Sequence, residues 1–278
     1  MKETKIQWHP AFIAAMELEL KQNRNDLIFE KEYNLNTKPL EIDLLVIKKN
    51  ASVQIASEIG RIFRRHNILE YKSPEDHLDI DTFYKTLAYS CLYKSYGKTV
   101  DAIKAEDVTI SILREAKPEE LFRYFKEHGC IIREACQGIY YIEGKAWFQT
   151  QIVATNELNR TSHEWLMALS RKLKKEDFRK LLSERSSLTE KQDWDLADSV
   201  LEVSISANKK MVDELMGDEN MYEVLMEIIE PKLRVERIHE AVALLRDINQ
   251  TDAEIKAAIM KRYGLSETEA KEYIYSNA

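Results

Sequence analysis

Ile68-Leu69-Glu70-Tyr71-Lys72 reads as a buried strand that ends in charge, and Leu40-Glu41-Ile42-Asp43-Leu44-Leu45-Val46-Ile47 reads as another with one acid at its middle. Side chains alternate faces along a strand, so Glu70 and Lys72 point one way and Tyr71 the other. The later run therefore sets a carboxylate beside an ammonium at a strand end. In the earlier run Asp43 sits among β-branched and aliphatic neighbours, where losing its water costs free energy unless a cation or hydrogen-bond donors meet it. Two carboxylates and a lysine can hold a hard divalent ion and steer a water, which is what metal-assisted phosphodiester hydrolysis needs.

Working outward, residues 10–25 have helical spacing. Phe12, Ala15, Met16 and Glu19 fall on one stripe, which places Glu19 rather than Glu17 on the core side. Residues 27–34 alternate as a strand, and Asn36-Thr37-Lys38-Pro39 forms a turn into the Asp43 strand. Residues 61–67 make a connector. Residues 79–96 read as a helix, with Phe83, Leu87, Ser90, Cys91 and Lys94 on one stripe and Gly97 as its stop. Residues 108–113 are β-rich, a short helix opens at Pro118, and residues 131–133, 138–142 and 148–153 read as short strands. Residues 1–158 are thus expected to form one α/β domain. From Ser162 the hydrophobic period becomes 3.6, so residues 159–278 are expected as a helical C-terminal region. It ends in a helix–turn–helix hairpin marked by two capping-box patterns, Thr251-Asp252-Ala253-Glu254 and Ser266-Glu267-Thr268-Glu269, around Tyr263-Gly264-Leu265.

This constellation resembles the PD-(D/E)XK nuclease superfamily, whose restriction-endonuclease-like core runs αβββαβ. More narrowly, residues 8–94 look like a bacterial branch of that superfamily. The likeness rests on Trp8-His9-Pro10, Glu19, Pro39-Leu40-Glu41-Ile42-Asp43, Ile59-Gly60-Arg61-Ile62-Phe63 and Asn67-Ile68-Leu69-Glu70-Tyr71-Lys72-Ser73-Pro74. The resemblance implies a catalytic set of Glu19, Asp43, Glu70 and Lys72. Glu19, Asp43 and Glu70 would bind Mg²⁺, with Mn²⁺ as a substitute, the Tyr71 carbonyl would help complete the shell, and Lys72 would position the attacking water. DNA is the implied substrate. The proline of the superfamily's name stands here as Pro39, four residues before Asp43 instead of directly before it. Restriction, repair, recombination and transposition enzymes all share this likeness, so it does not choose among them.

The chain of 278 residues carries a formal net charge of −7, which argues against tight non-specific duplex binding. A local basic track remains. Arg61, Arg64, Arg65 and His66 precede the Glu70 strand, and Lys85 lies on the following helix; these are nucleic-acid-binding candidates, the alternative for the arginines being a solvated connector. Glu41 shares the face of Asp43, as a third acid or as a surface residue. Trp8 either stacks on a base or staples the helix start. The three cysteines are too few and too unevenly placed for a disulfide framework or a zinc site, the six histidines lack ligand spacing, and the seven glycines form no nucleotide cradle. No apolar run approaches the ~18 residues of a membrane span, and the opening Met1-Lys2-Glu3-Thr4-Lys5 has no apolar h-region, so a reduced, cytoplasmic protein is expected. The alternative function is a catalytically inactive nuclease fold in which Asp43, Glu70 and Lys72 form an ion-pair network. The helical C-terminal region would then serve a protein partner or homo-oligomer.

Overall fold

The structure is a computed structural model that describes residues 6–35, 41–50, 52–144, 147–216 and 219–275. The expected turn at 36–39, with Pro39 and Leu40, lies outside the described residues. The first elements are α1 (Trp8–Glu19), β1 (Leu27–Asn34), β2 (Glu41–Lys48), β3 (His66–Lys72), α2 (Ile80–Ser95) and β4 (Val108–Arg114). They are followed by α3 (Glu119–Glu127), β5 (Ile131–Cys136), β6 (Ile139–Glu143) and β7 (Gln149–Ala154). All seven strands join one mixed sheet in the order β1-β2-β3-β4-β7-β6-β5. β1, β2 and β3 pair antiparallel, β3, β4 and β7 run parallel, and β6 and β5 return antiparallel. The parallel step from β3 to β4 needs a long crossover, and α2 supplies it.

Both faces of the central strands are covered. On one face Phe83, Tyr89 and Tyr93 of α2 and Leu121, Phe122 and Phe125 of α3 pack on Ile68, Ile110, Ile112 and Ile152. On the other, α1 lies between the sheet and two later helices, α4 (Glu164–Met167) and α6 (Lys191–Ala207). That double covering explains why α1 is buried nearly all round, from Trp8 and Phe12 to Met16 and Leu18, instead of showing one apolar stripe. Helix α1 begins at Trp8 and stops at Glu19, earlier than the spacing predicts, and Lys21–Asp26 tightens into a 3₁₀ helix. Trp8 is therefore inside the helix and buried, which fits packing at the helix start and removes the base-stacking reading.

The change of period near residue 159 marks a change of element type, yet the chain stays in one packed body well past it. The compact units are Met1–Val212 and Asp213–Ala278, because α4, α5 (Lys175–Ser187) and α6 belong to the first. They divide within α7 (Lys209–Leu215). In the second unit α8 (Glu219–Asp247), α9 (Asp252–Tyr263) and α10 (Glu267–Tyr275) enclose Ile238, Val242, Ile255, Ile259, Ala270 and Ile274. Thr251 and Glu254 close one capping box, Ser266 and Glu269 exchange the same bonds, and Gly264 between α9 and α10 takes the left-handed conformation at φ 67°.

Candidate active site

The backbone ladder between β2 and β3 ends with Leu44 opposite Leu69. One step further along that register Asp43 comes level with Glu70, and a side chain replaces the missing rung: the Tyr71 N–H donates to Asp43 Oδ2 at 2.8 Å. Lys72 Nζ donates to Glu70 Oε1 at 2.8 Å. The other carboxylate oxygen, Glu70 Oε2, is buried and has no hydrogen-bond partner, on a side chain only 8% exposed. His9, in the first turn of α1, brings Nε2 to 3.8 Å from Asp43 Oδ2 and meets the Tyr71 ring edge-on. Tyr71 itself points away from the carboxylates and stacks on Phe12 with ring centroids 4.8 Å apart, which ties the end of β3 to α1. His9, Glu41, Asp43, Glu70, Lys72 and Lys85 share a cleft of about 400 Å³.

The electrostatics follow from crowding two acids into little water. Burial first, and the Glu70 charge second, push Asp43 up to about 7, against the Tyr71 N–H and Lys72, which favour its ionised form. Burial works against the Lys72 ammonium, but Glu70, aided by Asp43 and Asp76, outweighs it and holds the lysine above its ordinary value. Asp76 caps the turn after β3, accepting from the Ser73 N–H and hydroxyl at 3.1 and 2.7 Å. Glu32 stands level with Asp43 in the β1–β2 register with φ at 46°, a left-handed backbone rare for a side-chain-bearing residue, and its charge adds to the upward push on Asp43.

Asp43, Glu70 and Lys72 thus come together, with Lys85 reaching the same cleft from α2. Glu19 does not join them. It occupies the end of α1 opposite His9, about 15 Å away at the rise of a helix. There its Oε1 meets His163 Nδ1 at 2.8 Å and accepts from Ser57 Oγ at 2.5 Å. Its expected role as a metal ligand is corrected: only the first turn of α1 faces the carboxylates. The expected arginines stand apart from this cleft. Arg64 and Arg65 lie before the start of β3, about 20 Å along the strand from Lys72. Arg64 turns back on the Ile62 and Phe63 carbonyls, and Arg61 bonds Glu58 Oε1 at 3.2 Å and Cys136 Sγ at 3.1 Å. None of the three lines the cleft. The residues that sequence spacing missed are His9, Asp76 and, beside Lys72 on β4, Arg114. For His9 a signal existed in the Trp-His-Pro run; for Arg114 only the strand register reveals it.

Among the described residues no three His, Cys, Asp or Glu side chains gather into a metal-ligating group. Two carboxylates still suit Mg²⁺, which keeps several waters and is commonly held by one or two carboxylates together with substrate phosphate oxygens. The unpartnered Glu70 Oε2 and the raised Asp43 are both features that a cation between them would relieve. The donor set fits the ion. Comparison of the chain with family models, with curated proteins and with solved structures finds no match.

Proposed function

We propose that the chain is a Mg²⁺-dependent endonuclease of the PD-(D/E)XK type that hydrolyses phosphodiester bonds in DNA. One observation carries this reading: Lys72 is bonded to one oxygen of Glu70 while the other oxygen is buried and unpartnered, and the Glu70 charge acts on Asp43. The succession α1-β1-β2-β3-α2-β4, with β3 parallel to β4, supports it, since that is the order of elements expected of the superfamily core.

Asp43 and Glu70 would hold the Mg²⁺, for which Mn²⁺ can substitute, and the bound ion would supply charge stabilisation at a phosphoryl oxygen and a more acidic water. The chain's own residues do the rest. The Tyr71 N–H fixes the orientation of the Asp43 carboxylate. Glu70 spends one oxygen on Lys72, so that ammonium is held in place and stays charged. An ammonium has three donors, and the two remaining are free to orient a water and to meet developing negative charge on the phosphate. The Phe12–Tyr71 stack keeps the strand end from shifting as substrate enters.

The test is nicking of supercoiled plasmid. Wild-type protein should cut in Mg²⁺ or Mn²⁺, and Asp43→Ala and Lys72→Ala should each lower the rate by about 100-fold or more. Cutting that survives both substitutions removes these residues from the mechanism. Wild-type protein that leaves plasmid, linear duplex and single strands intact with either metal would instead make the cluster a structural ion-pair network in an interaction module.

A further inference from the structure

β3 and β4 run parallel in a register that pairs Lys72 with Arg114. Facing residues of neighbouring strands leave the sheet on the same side, so Arg114 emerges beside Lys72. Both stand at the carboxyl ends of their strands, where sheets with crossover helices place their ligands. Arg114 is half-buried, its Nε is buried without a partner, and among the described residues its guanidinium makes no hydrogen bond or ion pair. Burial disfavours its charge, and the opposing charge acting on it is that of Glu115, whose Oε1 already accepts from the Ser170 hydroxyl.

The fold treats two other arginines, one half-buried and one buried, differently. Arg24 is joined to Asp193 and Arg185 to Asp198, each meeting a carboxylate directly. A partly desolvated guanidinium that makes no direct bond to a carboxylate is therefore a local exception with a cost, which the Glu115 charge lessens and an incoming anion would lower further. Lys85, which lines the cleft, is another cation without a carboxylate partner among the described residues; its Nζ lies 5.6 Å over the Tyr89 ring. In a chain of net charge −7, two cations that bond no carboxylate directly, one lining the cleft and one at the strand end paired with Lys72, favour a polyanion over a neutral ligand.

We propose that Arg114, seconded by Lys85, grips the sugar–phosphate backbone of the nucleic-acid substrate, its guanidinium donating to the non-bridging oxygens of a phosphate next to the one that is cut. The assignment rests on the nuclease reading and extends it to how the substrate is held. The planar fork of Arg114 matches two phosphate oxygens at once, whereas Lys85 contributes a point charge. Arg114 is a positioning residue: it orders the strand so that the neighbouring phosphate reaches Lys72.

The experiment measures binding of fluorescein-labelled duplex and single-stranded DNA by anisotropy in EDTA, so that nothing is cut, over a series of salt concentrations. Wild type, Arg114→Gln, Arg114→Lys, Lys85→Gln and, as control, Arg65→Gln are compared, with thermal midpoints recorded for each. Arg114→Gln should weaken binding about tenfold and flatten the log K against log salt slope by about one, with no fall in thermal midpoint. Arg114→Lys should keep the slope and regain only part of the affinity, Lys85→Gln should lose about one in slope, and Arg65→Gln should match wild type. Unchanged affinity and slope in Arg114→Gln, when wild type binds and nicks, overturn the grip while leaving the nuclease reading intact. A fall in thermal midpoint with binding preserved per folded molecule makes Arg114 structural and overturns it as well. If Arg114→Gln does not fold, Arg114→Lys decides: affinity equal to wild type overturns the fork. Wild-type protein that neither binds nor nicks either form overturns both proposals together.

Discussion

Asp43 is held at an energetic cost. An aspartate in the unfolded chain titrates near its ordinary value of 3.8, whereas burial and then the Glu70 charge push Asp43 up to about 7 in the folded state. Between those values the folded protein keeps a proton that the unfolded chain has released, so this residue favours the fold at low pH and progressively less as pH rises through about 7. Asp43→Asn removes the charge and keeps an oxygen that can accept from the Tyr71 N–H. It should abolish nicking yet raise stability at pH 8 by on the order of 2 kcal/mol, a gain that fades towards pH 4; urea unfolding at the two pH values measures both. An Asn variant no more stable than wild type at pH 8 would show that the carboxylate is not desolvated as drawn. The same residue also shows what a sequence can disclose. Asp43, Glu70 and Lys72 were legible because each announces itself within a single strand, as charge in an apolar run. Glu19 misled because helical period fixes which stripe a residue joins and not which end of the helix faces the site. Arg114 was invisible because its neighbour Lys72 belongs to a strand reached by a crossover, and only hydrogen-bond register brings the two together.

At the scale of elements, the 3₁₀ turn Ile59–Ile62 feeds the chain into β3 and depends on a close approach. Its carbonyl at Ile59 accepts from Gln151 Nε2 of β7 at 2.9 Å, which seats the turn against the sheet. A Cβ added at Gly60 would stand 2.1 Å from Cγ2 and 2.7 Å from Cβ of Ile55, a contact that neither buried side can yield without moving backbone. Gly60→Ala should therefore cost about 1–3 kcal/mol by overpacking, read as a lower urea midpoint. Combined with Ile55→Ala it should cost less than the sum of the two single changes, since the second makes room for the first. Strict additivity would locate the strain elsewhere. Elements of this kind divide cleanly into those the sequence discloses and those it hides. The strands around Asp43 and Glu70 showed in their apolar runs and their bounding turns. The spacing predicts a longer α1 because the chain keeps coiling through Lys21–Asp26, and hydrogen bonding alone separates a 3₁₀ helix from an α-helix. The near-complete burial of α1 follows from α6, which lies far along the chain and leaves no trace in the local pattern.

In the unit Met1–Val212 as a whole, one buried imidazole joins three distant pieces of chain. His163, 1% exposed, lies just before α4; its Nδ1 faces Glu19 Oε1 at the end of α1, 2.8 Å away, and its Nε2 faces Glu58 Oε2 in the segment leading to β3, 3.3 Å away. Carboxylates at both ring nitrogens call for both to carry protons, that is, for imidazolium. Burial opposes that charge, but the bonds and attraction from Glu19 and Glu58 outweigh it and raise the histidine above its ordinary 6.5. In return, the His163 bond, with the Cys136 thiol and then Arg61 assisting, holds Glu58 below its usual range. The sign follows from the two directions. The histidine's contribution is present in full below about pH 6.5 and is lost as pH rises through its higher folded value, while that of Glu58 is present above its unfolded value of 4.5 and is lost as pH falls through its lower folded one. The joint is thus strongest in a window from mildly acidic to neutral pH. His163→Gln leaves the Glu19 carboxylate, 4% exposed, without its cation, and should cost about 3 kcal/mol at pH 6 by urea unfolding. The gap between wild type and variant should narrow at pH 9, because the imidazolium's contribution is lost as pH rises through the raised folded value of His163. A cost that is equal at both pH values would mean that His163 fills space and carries no charge, and the joint between α1, the Glu58 segment and α4 would then be one of packing alone.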